Sequence, residues 1–258
     1  MLLLFSARQS DLIDAFDATN RASSLTQLSI GINNYFIETG TYPASIAALA
    51  AVPGYEYLQN MARPFQSLAI TTNLDDTVFK YNRISVFSQD PYDHPLTDTQ
   101  YLSAANNNCG TGDFATGVDW CGSKTSPWWK HETRETIQSN LARERIRQRR
   151  LLTKFTAWYN NDTSISTING VWGNNFPNPG APAARLTALV TGFAQTATTC
   201  TGIYTWHGIP IECRDLYSVW GTPTVYNYVS SSRITLLTRT PYIKSDGTTL
   251  FVSTELSL

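Results

Sequence analysis

The chain has 258 residues, 42% of them hydrophobic and 12% aromatic, enough to fill a sizeable core and to exclude a disordered polymer. Nineteen Lys and Arg stand against twenty Asp and Glu, a formal charge of -1, so no overall field gathers nucleic acid or an anionic membrane. Only 15% of residues are charged while Thr, Ser, Asn, Tyr and Trp are abundant, a balance closer to exported surface proteins than to cytosolic enzymes.

In chain order, the first element read from the sequence is a long helix. Apolar residues recur at helical spacing from Leu2 to Phe36, and Gly40-Thr41-Tyr42-Pro43 is an abrupt stop. A helix from Leu2 to about Ile37 is roughly 50 Å long at about 1.5 Å per residue, more than a small domain needs, so part of it is expected to protrude. From Leu12 onward, Leu12, Ile13, Phe16, Leu25, Leu28, Ile32, Tyr35 and Phe36 draw one stripe suited to packing on the chain's own domain. Leu2-Leu3-Leu4-Phe5 is apolar all round and calls for lipid or another subunit. The stretch is too short to span a bilayer, and it carries neither a basic leader nor a small-residue cleavage site. For an exported protein, that points to a front end that has been removed. Gly31 inside the helix reads either as a close-packing position or as a tolerated defect.

Ala44 to Ala51 is a short helical pattern that Ser45 can cap, closed by Pro53-Gly54. Ser67 to Thr72 and Thr77 to Phe87 read as two strands with Asn73 to Asp76 as their turn. Asp90 to Pro95 is a turn cluster, and Asn106-Asn107-Asn108 leads into a first cysteine loop. Glu132 to Tyr159 reads as a second long helix, with Ile137, Leu141, Leu151, Leu152, Phe155, Trp158 and Tyr159 apolar and Arg143, Arg145, Arg147, Arg149 and Arg150 interleaved. A Gly, Asn and Pro loop from Asn169 to Pro182 and a weaker helix from Ala183 to Gln195 follow. The tail reads as strands at Ile203 to Trp206, Thr224 to Val229, Arg233 to Arg239 and Thr248 to Leu256, the last two joined through Asp246-Gly247. Consecutive strands make an antiparallel sheet with one apolar face, and the striped half of the first helix is its expected cover.

The four cysteines form two local pairs, Cys109 with Cys121 and Cys200 with Cys213, each around a glycine-containing loop. Short loops close at the least entropic cost, so two local disulfides are expected, which places the chain in an oxidising compartment. His131 and His207 lie near these pairs but not at a metal-ligand spacing, and no Cys-x-x-Cys knuckle is present. Nothing in the sequence calls for a cofactor or a metal.

Leu25 to Leu49, LTQLSIGINNYFIETGTYPASIAAL, resembles the end of the N-terminal helix and the following Tyr-Pro turn of type IV pilins and type II secretion pseudopilins. Trp220-Gly221-Thr222-Pro223 with Tyr226 and Tyr228 is similar to the tryptophan and tyrosine pattern that leads into the pseudopilin sheet, and Asp90-Pro91-Tyr92 is a weaker echo. The resemblance covers about a quarter of the chain. It implies an α+β ladle whose helix handle, residues 1–38, packs on an antiparallel sheet and carries a head over residues 39–258. That head holds an inserted Arg-rich helical segment at about 131–160, C-terminal strands at about 203–257 and disulfide-closed loops. It further implies other pilin-like subunits as partners in a homo- or hetero-polymer, residence in the inner membrane before assembly, and a final place at the cell surface or in the periplasm. Leu2, Leu3, Leu4, Phe5, Leu12, Ile13 and Phe16 become the assembly interface. The family's processing glycine and early glutamate are not matched, nor is the pseudopilin calcium loop, for which Asp246-Gly247 stands without the acidic ligands a hard cation requires. Size and the arginine helix favour a minor or specialised subunit.

Enzyme signatures are weak beside this. His131-Glu132 is followed by Glu135 where a metalloprotease helix needs its second histidine, and no nucleophile elbow or phosphate-binding glycine loop occurs. Asp90, Asp93 and Asp98 suit turns and caps better than a glycosidase pair. No catalytic residue is assigned, and a secreted glycan-active enzyme ranks last. The stronger alternative is an adhesin or DNA-binding tip that uses Arg143, Arg145, Arg147, Arg149 and Arg150, or the tryptophans Trp128, Trp129, Trp172, Trp206 and Trp220, on DNA or a host surface. Against it stands a solvated helix face with internal ion pairs to Glu135 and Glu144. Asn161-Asp162-Thr163 matches a glycosylation sequon of eukaryotic secretion.

Overall fold

A computed structural model describes residues 2–60, 66–88, 97–122, 127–161, 175–193, 200 and 202–258; the side chains at 2–17, 60 and 161 lie outside the description. The Asp90 to Pro95 turn cluster, residues 169–174 of the 169–182 loop with Trp172, and Asp162 and Thr163 of the sequon are not among the described residues. The chain is α+β and divides into two compact units, residues 1–134 and 135–258, so the head expected over residues 39–258 is shared between them.

Unit 1 opens with α1 (Leu2–Thr39) and α2 (Ile46–Ala50), followed by a 3-10 turn over Glu56–Asn60. A three-stranded antiparallel sheet of order β1-β2-β3 comes next, from β1 (Gln66–Asp75), β2 (Lys80–Ser88) and β3 (Trp128–Glu132), with the short α3 (Asp98–Tyr101) between β2 and β3. On α1, Leu28 and Ile32 are fully buried and Leu25 nearly so, packing with Ile46, Leu49, Tyr55 and Leu58 on Ile84 and Val86 of β2. Each fully buried aliphatic side chain is worth about 1.5–3 kcal/mol, so this short stripe suffices to dock the helix. Gly31 is a close-packing position: a Cβ there would come 2.5 Å from a Leu58 methyl carbon. The helix ends because Gly40 adopts φ +73° and its N–H bonds back to the Phe36 carbonyl, a left-handed stop that suits glycine. Ser45 caps α2 as its sequence indicates, accepting from the Ala48 N–H.

The opposite face of β2 is covered as well, by Phe87 stacked on Tyr101 at 3.9 Å and by Phe114 and Trp120 of the first cysteine loop. Strand β3 was not legible as a strand; it pairs antiparallel with β2 from Phe87↔Trp128 to Arg83↔Glu132.

Unit 2 is carried by α4 (Thr133–Asn161) and a four-stranded antiparallel sheet of order β4-β7-β8-β9. In chain order its elements are β4 (Ala183–Arg185), α5 (Leu186–Leu189), β5 (Ile203–Trp206), β6 (Ile209–Glu212), α6 (Cys213–Leu216), β7 (Val225–Ser230), β8 (Arg233–Ile243) and β9 (Thr249–Ser257). The expected cover of this sheet is corrected here. It is α4 that packs on it, with Leu151, Leu152 and Phe155 against Tyr226, Ile234 and Leu236, while α1 packs on the sheet of unit 1. Two further expectations change. Ile203 to Trp206 is not part of the main sheet but pairs with β6 in a separate hairpin, and the helix expected from Ala183 to Gln195 is a strand plus a single turn over its described part.

Both cysteine pairs are bridged, with Cα separations of 5.4 Å for Cys109–Cys121 and 5.5 Å for Cys200–Cys213. Such bonds persist outside the reducing cytoplasm. Among the described residues no helix is long and apolar enough to cross a membrane.

Candidate functional site

Each unit holds its cysteine loop with buried or half-buried cations. In unit 1 Arg83 is fully buried on β2. Its guanidinium donates to the carbonyls of Phe114 at 2.9 Å and Val118 at 2.8 Å, to the Tyr81 hydroxyl at 3.2 Å and to the Glu132 carboxylate at 2.7 Å. Lys130 adds a bond to the Trp120 carbonyl at 2.8 Å and shares Glu132. Two cations are thus balanced by one carboxylate, and their remaining donors tie down three carbonyls of the 109–121 loop. The sequence reading missed Arg83, because a single arginine within a strand pattern reads as solvent-facing.

In unit 2 the loop closed by Cys200–Cys213 contains the β5-β6 hairpin, and α4 grips it. Lys154 reaches Asp215 at 2.7 Å, Glu212 at 3.1 Å and the Pro210 carbonyl at 3.1 Å, while the Trp158 indole donates to the His207 carbonyl at 2.8 Å. Arg214, Lys154 and Arg150 surround Glu212, and the hydrogen bonds from Arg214 and then Lys154 hold its carboxyl well below the usual 4.5, at about 2.

The five helix arginines do not form one surface. Arg147 turns inward, bonding the fully buried Glu144 through two nitrogens and the carbonyls of Arg214 and Asp215. It also meets the Thr224 hydroxyl at 2.9 Å, and Thr238 donates to Glu144 at 2.9 Å. Buried Gln148 continues the network to Thr238 at 3.0 Å, the Val252 carbonyl at 3.1 Å and Thr254 at 2.6 Å. Glu144 therefore leaves the solvated face expected for it. Arg150 is paired with Glu212 at 3.1 Å. Arg143, Arg145 and Arg149 remain exposed and, among the described residues, have no acceptor; Ile146, 66% exposed, lies among them.

The motif at the end of α1 is a packed corner. Tyr42 stacks obliquely on Phe36 with ring centroids 4.9 Å apart, and its hydroxyl lies 2.7 Å from His131 Nδ1. Burial, then the charge of Glu132, pushes the Tyr42 phenol upward from 10, so it stays protonated and donates at neutral pH. His131 thereby belongs to the aromatic corner of β3, and Glu135, four positions later in the sequence, is exposed. The second motif is a turn. Gly221 adopts φ +72° with its N–H on the Ser218 carbonyl, and Pro223 pairs with Tyr217. Trp220 then meets Tyr242 edge to face at 5.6 Å. Of the other tryptophans, Trp206 is buried in the unit 2 core and Trp120 in unit 1, while Trp128 and Trp129 are half-buried on β3.

Asp98 stands at the start of α3, where it accepts from Ser67 at 2.9 Å; Asp90 and Asp93 lie outside the described residues. The side chains of Leu2, Leu3, Leu4, Phe5, Leu12, Ile13 and Phe16 lie outside the description too. Among the described residues no three His, Cys, Asp or Glu side chains come together as a metal site. No family model, curated protein or solved structure matches the chain.

Proposed function

We propose that this chain is a structural, non-catalytic subunit of an extracytoplasmic filament of the type IV pilin and pseudopilin kind, minor or specialised, which joins its polymer through the forward part of α1. The observation that supports this reading is where the helix needs its own sheet. Helix α1 starts at Leu2, yet Ser24 is its first buried side chain described, and the stripe docked on unit 1 runs from Leu25 to Ile32. About 35 Å of helix lies ahead of that stripe at about 1.5 Å per residue, headed by Leu2-Leu3-Leu4-Phe5. An apolar head on a helix of that length finds cover among neighbouring subunits or lipid. The Gly40 stop, the packed Tyr42 corner and a disulfide loop on the far face of the sheet fit the same plan.

The test is recovery of the chain from sheared surface filaments of the organism that encodes it. Its presence there, lost on Leu3→Asp with Phe5→Asp, supports assembly through the helix; recovery only outside that fraction ends the proposal.

A second reading, capture of an anionic polymer such as DNA, has its own support in the exposed Arg143, Arg145 and Arg149. Unit 2 carries eleven Lys and Arg against seven Asp and Glu, whereas unit 1 carries eight against thirteen. A tip subunit combines both readings.

A further inference from the structure

Unit 2 contains a cleft of about 320 Å³ built on an irregularity of its sheet. The register of β8 against β9 shifts between Arg239 and Ile243, and Pro241, Tyr242 and Ile243 of this bulge, with Arg239 at its edge, line the cleft together with Trp220. Bulges re-aim side chains in this way and are frequent at binding sites.

Three features of the cleft point to one kind of ligand. The Trp220 indole N–H donates to the Tyr242 hydroxyl at 3.3 Å, and Asn140 donates to the same oxygen at 3.0 Å. With two donors already on that oxygen, the phenolic proton has no acceptor among the described residues and is left to donate outward. Arg239 lines the cleft, is exposed, and likewise has no acceptor for its guanidinium among the described residues, although its carbonyl is fixed by Thr222 at 2.7 Å. An arginine fork beside a hydroxyl donor matches a carboxylate. Finally, an indole N–H lies in the ring plane, so the bond to Tyr242 uses an edge of Trp220 and not a face; with Pro241 and the 40% exposed Ile243, Trp220 lends the cleft apolar lining.

We propose that this cleft binds a carboxylated sugar residue of the uronic acid type, the C–H face of the ring against Trp220 and the carboxylate against Arg239 and the Tyr242 hydroxyl. The volume suits one or two sugar rings. Both a host-surface glycan and an acidic bacterial polysaccharide offer this chemistry. The proposal does not depend on filament assembly.

The test is an NMR titration of the full chain with glucuronic acid, glucose and acetate, following the Trp220 indole N–H, assigned by its loss in Trp220→Phe. Glucuronic acid is expected to shift that signal with a dissociation constant on the order of 1 mM. Glucose and acetate should each bind at least about tenfold more weakly, and Arg239→Gln or Tyr242→Phe should cost glucuronic acid about tenfold while the other indole signals stay in place. No shift with glucuronic acid overturns the proposal. So does equal binding of glucose, which removes the carboxylate, equal binding of acetate, which removes the sugar, or unchanged affinity in Arg239→Gln. Galacturonic acid and N-acetylneuraminic acid then separate the two sources.

Discussion

Glu144 is the residue on which unit 2 turns. Its carboxylate is fully enclosed, and Arg147, Thr238 and the Val219 N–H supply its partners. Removing one member of such a pair leaves a buried charge alone, so Glu144→Ala is expected to lower stability by about 3–5 kcal/mol in urea unfolding. Replacing both members, Glu144→Leu with Arg147→Met, should recover most of that loss, since an apolar pair of similar volume has no charge to compensate. Arg83 holds the same position in unit 1, and Arg83→Met, which leaves Glu132 with Lys130 alone and frees the Phe114 and Val118 carbonyls, should cost a comparable amount. Glu212 sets a pH limit. Its carboxyl is depressed in the folded chain, so its contribution is complete above about 4.5 and fades as pH falls toward about 2. Near-UV circular dichroism should show weakening of unit 2 in that window, and Glu212→Gln should flatten this part of the profile.

At the level of elements, each unit is a helix laid on an antiparallel sheet with a disulfide-closed loop beside it. The individual helices were legible from apolar spacing: Leu25, Leu28 and Ile32, or Ile137, Leu141, Leu151, Leu152 and Phe155, carry a local period that survives folding. Ser45 and the cysteine spacing were legible for the same local reason. What each helix covers was not, because pairing a helix with a sheet is a long-range choice that no local window contains. Of the two buried positions of α4 that interrupt its stripe, Glu144 read as solvent-facing and Gln148 carried no signal, since only their distant partners Thr238 and Thr254 make burial tolerable. Strand β3 escaped notice because all five of its side chains are half-buried and show no period of two, and β6 because Pro210 argues against a strand. Arg239 and Tyr242 were likewise not legible together, since Trp220 lies on a distant turn and Tyr242 within a bulge. The loops also give a measurable quantity. Cys109→Ser with Cys121→Ser should reduce stability by about 3 kcal/mol, the entropy of a 12-residue closure.

For the whole molecule, the near-neutral total conceals an uneven distribution, net -5 over residues 1–134 and +4 over residues 135–258. That asymmetry is what keeps an anionic partner in view despite the formal charge of -1. If DNA is held by the exposed helix arginines, retention on duplex DNA should fall with salt, and Arg143→Ala, Arg145→Ala and Arg149→Ala together should flatten the log–log slope by about 2–3. Unchanged retention in the triple variant removes that reading and leaves the cleft at Trp220 untouched.

The placement of the two sulfur bridges has a practical result. Cys109–Cys121 closes entirely before residue 134 and Cys200–Cys213 entirely after it, so the main chain through the first turn of α4 is the sole covalent tie across the division. A protease nick inside either ring leaves the polypeptide in one piece on a non-reducing denaturing gel. A nick at 134–135, like any outside the two rings, yields two bands without any reductant, so a non-reducing gel separates cleavage inside a ring from cleavage outside it.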